Sequence, residues 1–130
     1  NNTLIKVVVF LESHPGVKKV FWSYQNDSAD YFRKIAGDAK PGCVVSFEVT
    51  GDFTSFYNQL RMLKSPSFGT EFSLCCPYVY LAHYKLMQSK AGLNQLKSAG
   101  ISPYLCRLSV GLEEPEEIIQ TLQVALQGME

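Results

Sequence analysis

The sequence predicts an α+β domain in which helices pack on one face of a small sheet. Residues 43–50 alternate apolar and polar side chains with period two, as a half-buried strand does. Residues 53–63 and 118–126 instead carry apolar side chains at helical spacing, which predicts helices with one buried face. Strands and helices follow one another along 130 residues, a length typical of a single domain with one core.

The first helix and the first strand are separated by the turn sequence His-Pro-Gly at 14–16. Thr3 to Ser13 keeps apolar residues at helical spacing, and we expect a helix, although its three consecutive valines would equally suit a strand. Val17 to Tyr24 alternates with period two and predicts the first strand. We interpret His14 as an exposed turn residue.

The second helix and the second strand lie on either side of the turn Pro41-Gly42. Asp27 or Ser28 is predicted to cap a short helix that ends near Gly37. The side chains expected to face inward from this helix are Tyr31, Phe32 and Ile35. In the strand Cys43 to Thr50, the alternation places on one face Cys43, Val45, Phe47 and Val49.

The third helix is expected to begin after Asp52, which serves as its N-cap, and to continue to about Lys64. The apolar stripe of this helix consists of Phe53, Phe56, Tyr57, Leu60 and Leu63. The stretch Ser65 to Tyr80 shows no clear period and carries two prolines and a glycine. It is therefore either a short strand with loops or a functional site.

The last part of the chain predicts a helix, a strand and a second helix. The first helix is expected around Gln88 to Ser98, with Gly100 as a left-handed cap, and Ile101 to Leu112 is the expected strand. Pro115 opens the final helix among four glutamates that favour the positive end of a helix dipole. Its buried residues would be Ile118, Ile119, Leu122 and Leu126.

The composition argues against a nucleic-acid-binding or membrane-spanning protein. Lys+Arg and Asp+Glu number 12 each, and the basic residues form no stripe. The apolar run Leu4 to Leu11 is interrupted and far too short to cross a bilayer. Adjacent Cys75 and Cys76 suit neither an ordinary mutual disulfide nor a CxxC metal site. We interpret the cysteines as reduced, buried thiols of a cytoplasmic protein.

The strand at 101–112 carries an arginine on its polar side. Its apolar face would contain Cys106, Leu108, Val110 and Leu112, and the opposite face, expected to be partly uncovered, would contain Arg107, Ser109 and Gly111. A guanidinium offers a planar fork of donors that matches a carboxylate, as an amino-acid site requires. A solvated arginine on an open sheet face is the ordinary alternative, because most arginines lie on surfaces.

Three segments match the motifs of a known enzyme family in order and spacing. They are Val44–Val49 (Val-Val-Ser-Phe-Glu-Val), residues 67–74 (Ser-Phe-Gly-Thr-Glu-Phe-Ser-Leu) with the later His83, and residues 100–102 with 107–119 (Arg-Leu-Ser-Val-Gly-Leu-Glu-Glu-Pro-Glu-Glu-Ile-Ile). On these residues the chain resembles the cystathionine γ-synthase, γ-lyase and β-lyase family of pyridoxal-phosphate enzymes. The resemblance runs from near the first helix to the C-terminus.

The resemblance implies roles for individual residues. In that family the arginine matching Arg107 binds the substrate α-carboxylate. The serine matching Ser67 lies at the active site, where it helps to orient the catalytic lysine and the substrate. For Ser73, His83 and Ser109 we expect structural roles, because such side chains beside loops commonly hold backbone groups.

The resemblance also implies that residues 1–130 are the C-terminal small domain of a fold-type-I enzyme, with residues 1–14 forming the end of an inter-domain helix. The family's Schiff-base lysine, its phosphate-binding groups and the aspartate at the pyridine nitrogen all belong to the preceding N-terminal domain. We therefore expect pyridoxal phosphate on a lysine outside this chain, with no catalytic, cofactor-binding or metal-binding residue inside it and no activity of the isolated fragment. The parent would be a homo-oligomer, either a dimer or a tetramer, that acts on an amino acid in transsulfuration.

Departures from the family motifs leave the reaction open. Thr70 replaces a glycine of the family motif, and Phe72 replaces a glutamate. Pro66 stands at a position that helps to decide the reaction in several members. The His-Pro pair that follows the second serine of the family motif is absent here and is replaced around residues 75–77. We expect an unusual branch whose reaction is β-elimination, γ-elimination or γ-replacement. The alternative functions are a non-catalytic amino-acid-binding module and a structural oligomerisation domain.

Overall fold

The strands and helices of the computed structural model are defined over residues 2–37 and 40–129, the part of the chain that the structure describes. The strands are β1 (Val17–Phe21), β2 (Val44–Val49), β3 (Leu63–Lys64), β4 (Leu74–Pro77) and β5 (Cys106–Ser109). The helices are α1 (Asn2–Ser13), α2 (Asn26–Ala36), α3 (Phe53–Gln59), α4 (Tyr78–Ala82), α5 (Tyr84–Met87), α6 (Lys90–Ser98) and α7 (Pro115–Leu126).

The strands of this described part form one mixed sheet in the order β1-β2-β5-β4-β3. Neighbouring strands are antiparallel except β3 and β4, which are parallel. At the centre of the sheet, Ser46, Arg107 and Cys76 are direct neighbours on β2, β5 and β4. The expected α+β class, a small sheet with helices, is confirmed.

The hydrophobic core lies between one face of the sheet and the helices α1, α3 and α7. Its fully buried side chains include Leu4, Val7, Leu11, Val45, Phe47, Phe56, Leu108, Leu122 and Leu126. Burying one large apolar side chain contributes about 1.5–3 kcal/mol, so this layer supplies most of the stabilisation of the fold. Because apolar residues close this face, the polar side chains between them on β5 are directed to the opposite face.

Several predictions about helix ends are confirmed. Asp52 caps α3, since its side chain accepts a hydrogen bond of 2.9 Å from the Ser55 N–H. Gly100 follows α6 with a φ of 71°, the left-handed conformation expected of a glycine cap. Pro115 opens α7, and three of its four predicted inward residues, Ile118, Leu122 and Leu126, are buried while Ile119 is partly buried.

The predicted buried face of the second helix is wrong. Tyr31 and Ile35 are 71% and 87% exposed. The reason is that α2 packs through Phe32, whose ring centroid lies 5.0 Å from that of Tyr24, and not over the central core.

The start of the second helix also differs from the prediction. The helix begins at Asn26, and its N-cap is Gln25, which makes no side-chain capping hydrogen bond. The proposed cap at Asp27 or Ser28 is therefore inside the helix, and the side chain of Asp27 lies outside what the structure describes. The predicted end near Gly37 is confirmed, with a φ of 60° at that glycine.

Two leucines that were expected to be buried are exposed because their elements end early. Helix α3 stops at Gln59, so Leu63 falls in the short edge strand β3 and is 58% exposed. The strand predicted to run to Leu112 stops at Ser109, and Leu112 is 77% exposed.

His14 is buried, with 8% exposure, and so the interpretation as an exposed turn residue is wrong. Its ring Nδ1 accepts a hydrogen bond of 2.9 Å from the Gly16 N–H, and its Nε2 lies 3.4 Å from Nε2 of Gln123 on α7. The ring also contacts Phe10 on α1. His14 therefore packs between the end of α1 and α7, a position that local sequence does not indicate.

The cysteines are free thiols, and the helices are short. All four cysteines are free, with Cys75, Cys76 and Cys106 buried and Cys43 partly buried. Within residues 2–37 and 40–129, no helix is long and apolar enough to cross a membrane.

Candidate functional site

Arg107 lies in the middle of the sheet with its side chain directed away from the core. Its two neighbours on β5, Cys106 and Leu108, are 1% and 0% exposed on the core face, whereas Arg107 keeps partial exposure. Strand geometry alone produces this arrangement, since successive side chains point to opposite faces. The core face is therefore unavailable to the guanidinium.

The Arg107 guanidinium contacts one backbone carbonyl group and two aromatic rings, in addition to the Cys76 thiol. Its Nη2 donates a hydrogen bond to the Pro66 carbonyl oxygen. The guanidinium carbon lies 4.6 Å from the ring centroid of Tyr78 and 5.4 Å from that of Phe68. A guanidinium has five N–H donors, so after the bond to Pro66 the group can still offer a pair of donors to a carboxylate.

Cys76 lies directly beside Arg107 in the sheet register and is 1% exposed. Burial raises the pKa of the Cys76 thiol, and the positive charge and hydrogen bonding of Arg107 offset only part of that effect. The thiol is therefore neutral at physiological pH and does not neutralise the arginine. The positive charge of Arg107 remains available to an anionic ligand.

The segment of residues 65–73, called here the site loop, joins β3 to β4 and crosses towards β5. Its Gly69 N–H donates a 2.9 Å hydrogen bond to Ser109 Oγ, and Gly69 adopts a φ of 72° that favours glycine. Ser67 is exposed on this loop, directly after Pro66, and its N–H donates to Ser65 Oγ at 3.2 Å. Ser67 therefore lies between Pro66 and Phe68, the two loop residues that contact Arg107.

A set of hydrogen bonds called here the Ser73 clamp fixes the end of the site loop to the segment that follows β5. The N–H and the Oγ of Ser73 donate to the two carboxylate oxygens of Glu113, at 2.6 and 2.7 Å. Ser73 Oγ in turn accepts a 2.9 Å hydrogen bond from the Gly111 N–H. Leu112 N–H donates to the Glu71 carbonyl at 2.7 Å beside it. The clamp holds the loop close to the strand that carries Arg107.

The ionisation of Glu113 fits its place in the clamp. Partial burial taken alone would raise the pKa of this carboxyl, but the hydrogen bonds from Ser73 outweigh it and hold the pKa below its usual value. Glu113 is therefore a carboxylate at neutral pH, as an acceptor of two hydrogen bonds should be.

Gly111 makes a close backbone approach that only glycine permits. A Cβ at this position would lie 2.5 Å from the Phe72 carbonyl carbon and 2.6 Å from the Glu71 oxygen. Both are backbone atoms that cannot rotate away. The glycine of the Ser-Val-Gly sequence at 109–111 is therefore required by the close packing of the backbone around it.

His83 lies apart from the Arg107 guanidinium. Its side chain is exposed, and its ring makes an edge contact with the Tyr78 ring at 6.0 Å between centroids. Its backbone joins α4 to α5, since its N–H donates to Val79 and its carbonyl accepts from Leu86, both at 2.9 Å. Of the residues singled out in the sequence, Arg107 and Ser109 both lie on β5 and contact the site loop. Ser67 and Ser73 belong to that loop, and His83 contacts the Tyr78 ring.

The face bearing Arg107 and Ser109 is more covered than expected. Arg107 is partly exposed, but Ser109 is only 2% exposed because the site loop lies over it. Sequence reasoning missed three contributors to this site, namely Phe68, Tyr78 and Glu113. The signal for the two aromatic residues was present, since both lie in the stretch that shows no period, whereas Glu113 is one of several glutamates and nothing distinguishes it locally.

No group of three or more His, Cys, Asp or Glu side chains in the described ranges is arranged to hold a metal ion. The chemistry that the described geometry offers is binding of an anion at Arg107, beside the loop that its guanidinium contacts at Pro66 and Phe68.

Comparison with known proteins identifies a family for these motifs. The sequence profile of the family described as "Cys/Met metabolism PLP-dependent enzyme" matches residues 1–127. The L-2-amino-4-chloropent-4-enoate dechlorinase/desaturase of Streptantibioticus cattleyicolor is 32% identical over 98% of this chain and 26% of its own length. The cystathionine gamma-synthase of Neurospora crassa is 35% identical over 92% of this chain and 19% of its own length. The L-methionine gamma-lyase of Fusobacterium nucleatum subsp. polymorphum is 34% identical over 96% of this chain and 31% of its own length.

Solved structures of similar proteins have the same fold. The cystathionine gamma-lyase of Lactobacillus plantarum, complexed with L-serine, superimposes with a TM-score of 0.79 at 25% identity and covers 98% of this chain. CalE6 of Micromonospora echinospora, a cystathione gamma lyase, gives a TM-score of 0.78 at 26% identity over 98% of the chain. In both cases this chain spans 33% of the other chain's length.

Proposed function

Because the chain belongs to the family of pyridoxal-phosphate-dependent enzymes of cysteine and methionine metabolism, we propose that it binds the α-carboxylate of an amino-acid substrate through Arg107. The full-length enzyme that we propose is a lyase or transferase of transsulfuration chemistry, and residues 1–130 form its C-terminal domain. The observation that carries the proposal is the guanidinium of Arg107, held beside Pro66, Phe68 and Tyr78 and directed away from the core.

The names of the similar proteins support a carboxylate ligand. A chloropentenoate amino acid, cystathionine and L-methionine are all α-amino acids, and these are the compounds in the names of the three relatives. The three names denote different reactions, but the compounds in them share the amino-acid head group. A group that binds the shared part of these compounds belongs on a rigid element, and Arg107 lies in the central strand of the sheet.

The site residues divide into binding and supporting roles. Arg107 would bind the carboxylate with two parallel N–H···O bonds, which fixes the orientation of the amino acid as well as its position. Ser67, exposed on the site loop next to Pro66, would face the same ligand. Ser73 and Ser109 would hold the loop in place through the contacts described above, and His83 would support the junction of α4 and α5.

The residues present do not fit the cofactor by themselves, and we propose that pyridoxal phosphate is held by a preceding N-terminal domain. Every lysine of this chain is exposed at the surface, whereas a lysine that bonds to the cofactor must be enclosed with it. The chain also spans only 19% to 33% of the length of the similar proteins named above. The cofactor would supply the electron sink for chemistry at the substrate α-carbon. The isolated chain would accordingly catalyse nothing.

The remaining parts of the proposal concern the parent protein. Residues 1–14, which include the whole of α1, would be the end of a helix that connects the two domains, and the parent would be a homo-oligomer. The free thiols of the four cysteines support a reducing, cytoplasmic setting.

The test uses the full-length enzyme that contains this chain, with Arg107→Ala and Arg107→Lys. Charge-assisted hydrogen bonds contribute about 1.5–3 kcal/mol each, so loss of the pair should lower kcat/KM by on the order of a hundredfold or more. The lysine variant keeps the charge but loses the fork, and it should restore only part of the activity. The absorption spectrum of the bound cofactor should be unchanged in both variants.

Arg33→Ala is the matched control, because Arg33 is an exposed arginine on α2, where it pairs with Asp30 and contacts the Tyr24 ring. It should leave kcat/KM unchanged. An Arg107→Ala enzyme with the kcat/KM of the wild type would show that Arg107 is a solvated surface residue and does not bind the substrate.

A further inference from the structure

Resting on the proposed carboxylate-binding role of Arg107, we infer that Tyr78 and Phe68 are positioning residues that hold the guanidinium in its binding orientation. Neither ring is needed for the core, since both side chains are exposed, at 38% and 62%. Both nevertheless lie within 6 Å of the Arg107 guanidinium carbon, at 4.6 and 5.4 Å. Their contact with this cation explains why two aromatic rings remain at a solvent-exposed site.

The need for such residues follows from the arginine side chain itself. Arginine has several rotatable bonds, and a partly exposed guanidinium samples many orientations unless other groups restrict it. Stacking engages the planar faces of the guanidinium, whereas its hydrogen-bond donors point outward in the plane. Aromatic rings can therefore restrict the orientation of the group without consuming the donors that a carboxylate requires.

Tyr78 is fixed with respect to the strand that carries Arg107. It directly follows Pro77, which pairs with Cys106 in the sheet, and it is the first residue of α4. Its ring is also in edge contact with the His83 ring, at an interplanar angle of 78°. The backbone of Tyr78 is thus set by the sheet, and its ring is supported by His83, which makes it the stiffer of the two aromatic contacts.

Phe68 approaches from the site loop. The residues on either side of Ser67 and Phe68 are both attached to β5, since the Pro66 carbonyl accepts from Arg107 and the Gly69 N–H donates to Ser109. The longer distance to the guanidinium and the greater exposure of Phe68 indicate a weaker restraint than that of Tyr78. The two rings approach from different segments, so each can be removed separately.

The experiment measures binding of two probes to the full-length holoenzyme by titration calorimetry. L-Norvaline carries the α-carboxylate, and L-norvalinamide has the same side chain with a neutral amide in its place. A residue that acts through Arg107 affects the first probe only, whereas general damage to the site affects both. The ratio of the two dissociation constants is therefore the readout.

Tyr78→Leu should raise the Kd of norvaline by about three- to tenfold and change that of norvalinamide by less than about twofold. Tyr78→Phe keeps the ring and should bind both probes like the wild type. Phe68→Leu should act in the same direction with a smaller effect, and it provides an independent test if Tyr78→Leu fails to fold. Tyr80→Leu is the matched control, because Tyr80 lies on the same helix with 44% exposure and contacts Tyr84.

Each outcome separates this inference from the proposed function. If Arg107→Ala retains the wild-type preference for norvaline, Arg107 does not bind the carboxylate and the proposed function fails. If Arg107→Ala loses the preference but Tyr78→Leu and Phe68→Leu both keep it, only the positioning role is overturned. Equal losses in Tyr78→Phe and Tyr78→Leu would assign the effect to the hydroxyl and also overturn it.

Discussion

Replacing Ser73 by alanine should loosen the site loop by removing the centre of the Ser73 clamp. The substitution deletes the Oγ that donates to Glu113 and accepts from Gly111, while the bond from the Ser73 N–H to Glu113 can persist. Gly111 is buried, so its N–H loses its acceptor at a site that is closed to water, which costs about 1–3 kcal/mol. The bond to the Glu113 carboxylate adds about 1 kcal/mol or less, since this side chain is partly exposed and screened. The expected loss is therefore about 1–4 kcal/mol of unfolding free energy.

Urea denaturation followed by circular dichroism measures this loss on the 130-residue chain. Ser65→Ala is the control, because the hydrogen bond that Ser65 Oγ accepts from the Ser67 N–H lies at the surface of the same loop. It should cost less than about 0.5 kcal/mol. A Ser73→Ala chain that is as stable as the Ser65→Ala chain would refute the reasoning, because it would mean that the Gly111 N–H is satisfied in another way.

Two further predictions concern the same clamp. Gly111→Ala should destabilise the chain by about 2–5 kcal/mol, because its Cβ would meet backbone atoms of Glu71 and its neighbours. Gly51→Ala is the control, because the atom nearest to a Cβ there is a flexible methionine sulfur. Thermal unfolding should show a larger loss of stability in Gly111→Ala than in Gly51→Ala. Equal losses at the two glycines would contradict the clash. Glu113→Gln should remove a pH-dependent part of the stability. Because the pKa of Glu113 is lowered in the folded chain, its contribution is complete above the ordinary glutamate pKa of about 4.3 and is lost as the pH falls through the lower folded value. Urea titration at several pH values measures the stability difference between wild type and Glu113→Gln, and this difference should shrink on acidification. A constant difference would show that ionisation of Glu113 is irrelevant to the clamp with Ser73.

Regular elements with a buried face were predictable from the sequence because their period reports directly on burial. The helical stripe at 118–126 is reproduced in the structure. The alternation of the second strand is reproduced at residues 44–47, but Glu48 is buried and Val49 is only partly buried. The positions of Asp52 and Gly100 at helix ends were likewise predictable, because capping chemistry is local.

The errors arise where long-range packing decides. The apolar residues Tyr31 and Ile35 have helical spacing, but α2 lies away from the core and leaves them exposed. His14 follows a helix as a turn residue would, yet α7 returns across more than one hundred residues of sequence to bury it. Nothing near either position in the sequence specifies those partners.

The candidate site was predictable in its main residue and not in its surroundings. The alternation around Arg107 indicates that its side chain leaves the core, and the structure agrees. The rings of Phe68 and Tyr78 reach it from segments 39 and 29 positions away in the sequence, a pairing that only the fold creates.

The parallel pairing of β3 and β4 determines how the chain must connect them. Parallel strands cannot be joined by a tight hairpin turn, so the chain has to cross back to the start of β4. Leu63 pairs with Leu74 and Lys64 with Cys75, so residues 65–73, the site loop, are this crossover connection. The connection reaches over β4 to meet Arg107 and Ser109 on β5. An antiparallel β3 could be joined to β4 by a turn of about two residues, which would leave no segment to contact the guanidinium.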